Sequence, residues 1–239
     1  MRPALLALTL ALPSLAQDAS AAFFKGEPKA LMATCADRAR SLDSKDSRLL
    51  AEYGRAYLLA GQRDRAEAAF KAAALSDPKD GETYRLIAVA WLSAGQRAEA
   101  LAALQTLQAM DPKAKNVFKR AAINLLDGGC PEEAKALMDR SWALDARDYH
   151  NGKDFAHAAL RNHHWELAAA WMERVHTLEP KDWKDRLDFA RAALHLGQRD
   201  LASLWLERTV QARPLEVRMW NEIALLFAEM ENPTWVAHP

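Results

Sequence analysis

From residue 47 onward the chain alternates apolar stripes of helical spacing with short polar punctuation. Leu50, Tyr53, Gly54 and Tyr57 fall at i, i+3, i+4 and i+7, the spacing that lines one face of an α-helix. Ala66, Phe70 and Ala73 follow the same period approximately, so a second helix is expected after the Gly61-Gln62 turn. Asp77-Pro78 closes it, because proline disfavours helical backbone at the preceding residue and has no N–H to extend the ladder. The pattern predicts a pair of antiparallel helices. Alanine and leucine dominate while glycine, proline and β-branched residues are sparse, so helix is favoured along most of the length and the fold class is all-α.

The pair recurs. Gly61-Gln62-Arg63 returns as Gly95-Gln96-Arg97, 34 residues on, and three periods later as Gly197-Gln198-Arg199. At this period five units follow without insertion: 47–80, 81–114, 115–148, 149–182 and 183–216. Position 8 holds Gly54, Ala88, Ala122, Ala156 and Ala190, and position 20 holds Ala66, Ala100, Ala134, Ala168 and Ala202. Such columns are expected where two helices touch, since only a small side chain lets the backbones approach. Position 11 holds Tyr57, Trp91, Leu125, Ala159 and Ala193, position 24 holds Phe70, Leu104, Met138, Met172 and Leu206, and Pro78, Pro112, Pro180 and Pro214 close four units.

On these columns the chain closely resembles the tetratricopeptide repeat family over 47–216. The resemblance implies a right-handed α-solenoid of 34-residue helix-turn-helix repeats, and a role in binding rather than catalysis. Later units drift: Ala159 and Ala193 lack bulk at position 11, Ala146 replaces the closing proline, and His163 replaces the turn glycine at position 15. Residues 17–46 fit a degenerate first repeat, with Pro28 as a helix-initiating residue. Residues 217–231 (Trp220, Ile223, Ala224, Phe227) repeat a first helix only and are expected to cap the stack, ahead of a tail at 232–239 in which Trp235 is expected to fold back over that helix.

With 239 residues, half of them hydrophobic, the chain can bury a large core, which argues against disorder. Its 32 basic and 32 acidic residues cancel, so no global field advertises nucleic acid or a membrane surface. Met1-Arg2, the apolar run from Pro3 to Leu15 and small residues before Gln17 form the pattern of a cleavable export signal over 1–16. That run is shorter than the roughly 20 residues of a membrane span. The expected compartment is the bacterial periplasm, otherwise the exterior. Cys35 and Cys130 lie about three repeats apart, too far for a bridge within one chain.

No phosphate loop, HExxH, GxSxG or paired CxxC motif occurs, and the repeats leave no room for a catalytic domain. His150, His157, His163, His164 and His195 crowd two units, but none makes the i, i+4 pair of a helical zinc site, so neither metal nor cofactor is expected. Trp91 and Trp220 occupy core positions 11 and 4, and Trp171 and Trp205 share position 23, where packing between units is the default and a convex aromatic patch the alternative.

The family resemblance places positions 2, 5, 9, 12 and 13 on the concave face. Position 12 is Leu58, Leu92, Leu126, Leu160 and Leu194, an apolar ridge. Around it stand Arg48, Arg55, Arg85, Lys119, Lys153, Arg161, Lys184 and Arg191, with His150, His157 and His195, against only Glu82 and Asp127. A basic, leucine-ridged groove suits a protein or peptide segment with acidic groups, its apolar anchors on the ridge and its carboxylates on the arginines. The alternatives are an acidic envelope polysaccharide, for which the groove columns supply no aromatic platform, and a structural spacer.

Overall fold

A computed structural model describes residues 26–231; the expected export signal at 1–16 and the tail at 232–239 lie outside them. Every regular element described is an α-helix. Helix α1 (Pro28–Leu42) begins with Pro28 in its first turn, where the missing N–H costs nothing. Five pairs follow: α2 (Ser47–Leu59) and α3 (Arg63–Ser76); α4 (Gly81–Ser93) and α5 (Arg97–Met110); α6 (Lys115–Asp127) and α7 (Pro131–Leu144); α8 (Tyr149–Arg161) and α9 (Trp165–Leu178); α10 (Lys184–His195) and α11 (Arg199–Ala212). Helix α12 (Val217–Glu231) closes the series. The helices fall into two compact units, residues 1–110 and 111–239. Within each, the two helices of a pair pack together and first helices stack on first helices.

The helix boundaries have local causes. Asp46, Asp80 and Asp148 cap α2, α4 and α8, each carboxylate accepting backbone N–H groups of the first turn, as in Arg48 N to Asp46 Oδ1 at 2.8 Å. Between the helices of each pair, position 15 adopts the left-handed conformation: Gly61 (φ 80°), Gly95 (72°), Gly129 (71°), Gly197 (74°) and, without glycine, His163 (62°). The tight turn demands this backbone whatever the residue, and His163 holds it against the clash between Cβ and carbonyl that makes the region unfavourable for other residues.

The two small-residue columns are the contact lines of the pairs. Ala66, Ala100, Ala134, Ala168 and Ala202 are wholly buried, as are Ala122, Ala156 and Ala190. Position 8 also explains its one exception. A Cβ on Gly54 would sit 2.3 Å from the ring of Phe70, the largest residue in the position-24 column, so aromatic bulk at 24 is matched by glycine at 8. At position 4 of the fourth unit the exchange runs the other way: Gly152 leaves space that Trp142 and Val175 fill, with Trp142 Cζ3 2.7 Å from where a Cβ would stand. Trp142, Phe155 and Trp171 then meet edge to face, with centroids 5.4 and 5.2 Å apart.

Trp171 and Trp205 are fully buried, so position 23 is packing and not a convex binding patch. Trp91 is likewise core, its ring 5.2 Å from Phe70. Trp220 departs from expectation: it sits at a core position yet is 47 % exposed, because among the described residues no second helix follows to cover it. No disulfide joins the two cysteines, Cys35 being exposed and Cys130 buried.

Candidate binding surface

Because first helices stack on first helices, their remaining faces set what each unit offers to a ligand. In the N-terminal unit this face belongs to α2 and α4. Arg48 is held by Asp80, the residue that caps α4, through two bonds of 2.7 and 3.0 Å, and that contact keeps the Asp80 carboxyl below its usual pKa. Arg85 is clamped by Glu82 of its own helix at 2.6 Å, with both side chains largely covered. Arg55 differs. It is half-buried, and its Nε is buried with no acceptor among the described residues. Leu58, one helical turn from Arg55, and Leu92, its counterpart on α4, are partly exposed.

The same columns behave otherwise in the C-terminal unit. Leu126 and Leu160 are fully buried, at 1 % and 0 % exposure, and only Leu194 stays partly open. The five leucines are therefore not one continuous open ridge; in the middle units position 12 is part of the packing. The lysines are paired with acids one repeat on, Lys119 with Asp154 and Lys153 with Asp185, each at 2.8 Å. Arg191 meets Asp188 at 3.1 Å and Glu222 at 3.4 Å. Arg161 and Lys184 are exposed without an ion pair among the described residues, and Lys184 lies 5.9 Å over the Trp183 ring. His157 is half-buried with its ring 5.6 Å from Phe189, and burial lowers its pKa, so the neutral imidazole is favoured. His150 and His195 are exposed.

The basic surplus read from the columns is thus largely answered inside the chain. Its partners stand at repeat positions outside the groove columns: Asp80 closes the repeat that Arg48 opens, and Asp154, Asp185 and Glu222 reach their cations from the following repeat or helix. Ion pairs from one repeat to the next also run along the second helices, Arg63 to Glu99 and Arg208 to Glu173, with Arg174 reaching back to Asp139.

One buried cation is not signalled by the sequence columns. Arg186, at core position 4 of the fifth unit, is 1 % exposed and makes no ion pair among the described residues; its guanidinium donates to the backbone carbonyls of Glu179, Pro180 and Arg208 instead. Burial pulls its pKa down. The exposed carbonyls of the Glu179-Pro180 helix end are what a hydrophobic residue at this position could not satisfy. Nearby, His176 has a buried Nδ1 without a partner, and burial, followed by the Arg186 charge, lowers its pKa. No group of three or more metal-ligating side chains converges among the described residues.

Helix pairs spaced by 34 residues, small-residue contact columns and a left-handed residue at each turn define repeats of the tetratricopeptide type. No protein-family model and no curated protein matches the chain. Solved structures similar to it include YrrB, a TPR protein with an unusual peptide-binding site (14 % identity, TM-score 0.39, 80 % of this chain and 99 % of that one). TTC0263, a TPR protein of Thermus thermophilus, matches at 19 % identity and TM-score 0.39, over 76 % of this chain and 99 % of its own. PilW, a type IV pilus biogenesis factor, matches at 16 % identity and TM-score 0.42, over 80 % and 88 %. At such values the likeness carries no argument about this chain.

Proposed function

We propose that the chain is a non-enzymatic binding protein whose N-terminal unit holds a protein segment against α2 and α4. The observation that carries this is Arg55. Of three arginines whose Nε is buried without an acceptor among the described residues, Arg186 and Arg191 bond carbonyls or carboxylates through their other nitrogens. Arg55 alone makes no hydrogen bond or ion pair there, a cost that a ligand acceptor would remove. Leu58, one helical turn on, and Leu92, its counterpart on α4, keep apolar surface that is not consumed by packing. A ligand with a carboxylate or carbonyl to accept from Arg55 and an apolar side chain to cover the leucines satisfies both. Arg48 and Arg85 frame the spot but are already neutralised, so selectivity rests on one cation rather than on a strongly basic groove. The C-terminal unit, by itself, offers the same residue types more sparsely in Arg161, Lys184 and Leu194, since Leu126 and Leu160 are buried and Lys119, Lys153 and Arg191 are paired.

Export is the second part of the reading and rests on the sequence pattern of residues 1–16. No helix among the described residues is long and apolar enough to cross a membrane.

Selection of a random peptide library on the immobilised chain tests the binding site. Enriched peptides should combine an apolar residue with Asp or Glu, and Arg55→Glu should weaken them at least about 10-fold, the scale of a lost charge-assisted hydrogen bond. No enrichment at low salt, or enrichment indifferent to Arg55→Glu, would remove the proposal.

A further inference from the structure

One turn departs from the others at every residue. Positions 15 to 17 read Gly-Gln-Arg at 61–63, 95–97 and 197–199 and Gly129-Cys130-Pro131 in the third pair, but His163-His164-Trp165 in the fourth. His163 takes the left-handed backbone that glycine takes freely (φ 62°), so this turn carries its extra side chain at a conformational cost that the other four avoid. The side chains form one wall of a hollow. The His163 ring stands edge-on to the Trp165 indole, with centroids 5.0 Å apart and planes at 83°, and both line a space of about 340 Å³ that the start of α7 bounds through Pro131 and Glu132. That volume is at the small end of ligand sites, which span roughly 300–1,000 Å³. Pro131, Trp165 and Leu167 are partly buried while Glu132, His163 and Glu166 are exposed, so apolar surface lies beneath a polar rim. The polar groups are uncommitted. Glu132, His163, His164, Trp165 and Glu166 make no side-chain hydrogen bond or ion pair among the described residues, whereas Lys135 at the edge is paired with Asp139 at 3.0 Å.

We propose that this hollow binds a neutral sugar residue of a glycan, seated against the Trp165 indole with its hydroxyls shared between the two carboxylates and the ring N–H groups. The mixture of donors and acceptors selects this ligand. An anion meets the charges of Glu132 and Glu166. An ammonium or guanidinium satisfies those carboxylates but has only donors, and so leaves the indole and imidazole N–H groups without an acceptor. A metal ion finds no group of three ligating side chains among the described residues. A hydroxyl both donates and accepts, and a sugar ring adds an apolar C–H face for the indole to cover. Because the rim is exposed, the ligand is one unit of a longer chain rather than an enclosed monosaccharide. The site shares no residue with the Arg55 face and does not depend on it.

Isothermal titration of the full chain with neutral hexasaccharides of glucose, mannose, galactose and N-acetylglucosamine reads the site, with hexagalacturonate and pentalysine as charged controls. Saturable binding of at least one neutral hexasaccharide is expected. Trp165→Ala should weaken it about 10-fold, the scale of a lost aromatic contact. Glu132→Gln, at an exposed position, should weaken it several-fold without changing the melting temperature. His163→Gly, His164→Gln and Trp165→Arg together rewrite the turn as its counterpart at 197–199, and should abolish binding while the far-UV circular dichroism stays the same. No saturable binding by any neutral hexasaccharide overturns the proposal. Binding of pentalysine alone or of hexagalacturonate alone also overturns it, and makes the hollow a site for a cation or an anion. Sugar binding that survives both Glu132→Gln and the rewritten turn places the ligand elsewhere and overturns it equally.

Discussion

The two units use one repeat pattern to opposite ends. In the N-terminal unit Leu58 and Leu92 remain partly exposed beside a half-buried arginine whose Nε lacks an acceptor, whereas in the C-terminal unit Leu126 and Leu160 are sealed into the packing and Lys119 and Lys153 are neutralised from the next repeat. The lesson is that a column of identical residues does not define a continuous surface. The same leucine at position 12 is open on α2 and α4 and sealed on α6 and α8, so its surroundings and not its identity decide whether it serves the core or a ligand.

The sharpest break of this comparison is a pair of truncations. Leu126→Ala should cost about 3 kcal/mol in denaturant unfolding, the range for a buried leucine that leaves a cavity. Leu58→Ala should cost less than about 1 kcal/mol, because its methyls already meet solvent. Equal costs would dissolve the distinction between the units.

Acidity should separate them next. The histidines His157 and His176 are in the C-terminal unit, and the region 1–110 contains no histidine. Both have folded pKa values below the ordinary value near 6.5, through burial first. The neutral imidazole is therefore the form the fold prefers. Its contribution is complete above about pH 6.5 and is lost as pH falls from there towards the folded-state pKa, since the unfolded chain then binds more protons. Hydrogen exchange, corrected for intrinsic rates, should show residues 149–212 losing protection between pH 7.5 and 5.5 while 47–110 change little. His176→Phe should flatten that dependence.

The ion-pair ladder is expected to matter less than its regularity suggests. Lys153→Met should cost no more than about 1 kcal/mol, since the Lys153 side chain is still a quarter exposed. Smallest is the turn at His163, where His163→Gly should stabilise by about 0.5 kcal/mol in thermal melts. Relief from the left-handed backbone outweighs the added freedom of the unfolded chain there.

The fold was legible because it is written redundantly. The alanines of positions 8 and 20 and the Gly-Gln-Arg turn state the same period independently, and even the substitution of His163 for glycine changed the residue without changing the backbone. The surface was less legible. Column counting finds the cations but misses Asp80, Asp154, Asp185 and Glu222, whose positions look unrelated to the groove until the next repeat is stacked on it. Arg186 is invisible for a similar reason: a charge at a core position is intelligible only once the helix-end carbonyls it binds are seen. Trp220 belongs to the core by its column and lies open because a column needs a neighbour to bury it.

If the face around Arg55 takes a protein segment, site-specific photo-crosslinking in the producing cell should capture it. A photoreactive residue at position 58 should give a discrete crosslinked species, absent when the probe replaces buried Leu126 and strongly reduced when Arg55→Glu is added. No adduct at 58, or one that Arg55→Glu leaves unchanged, would contradict binding at this face.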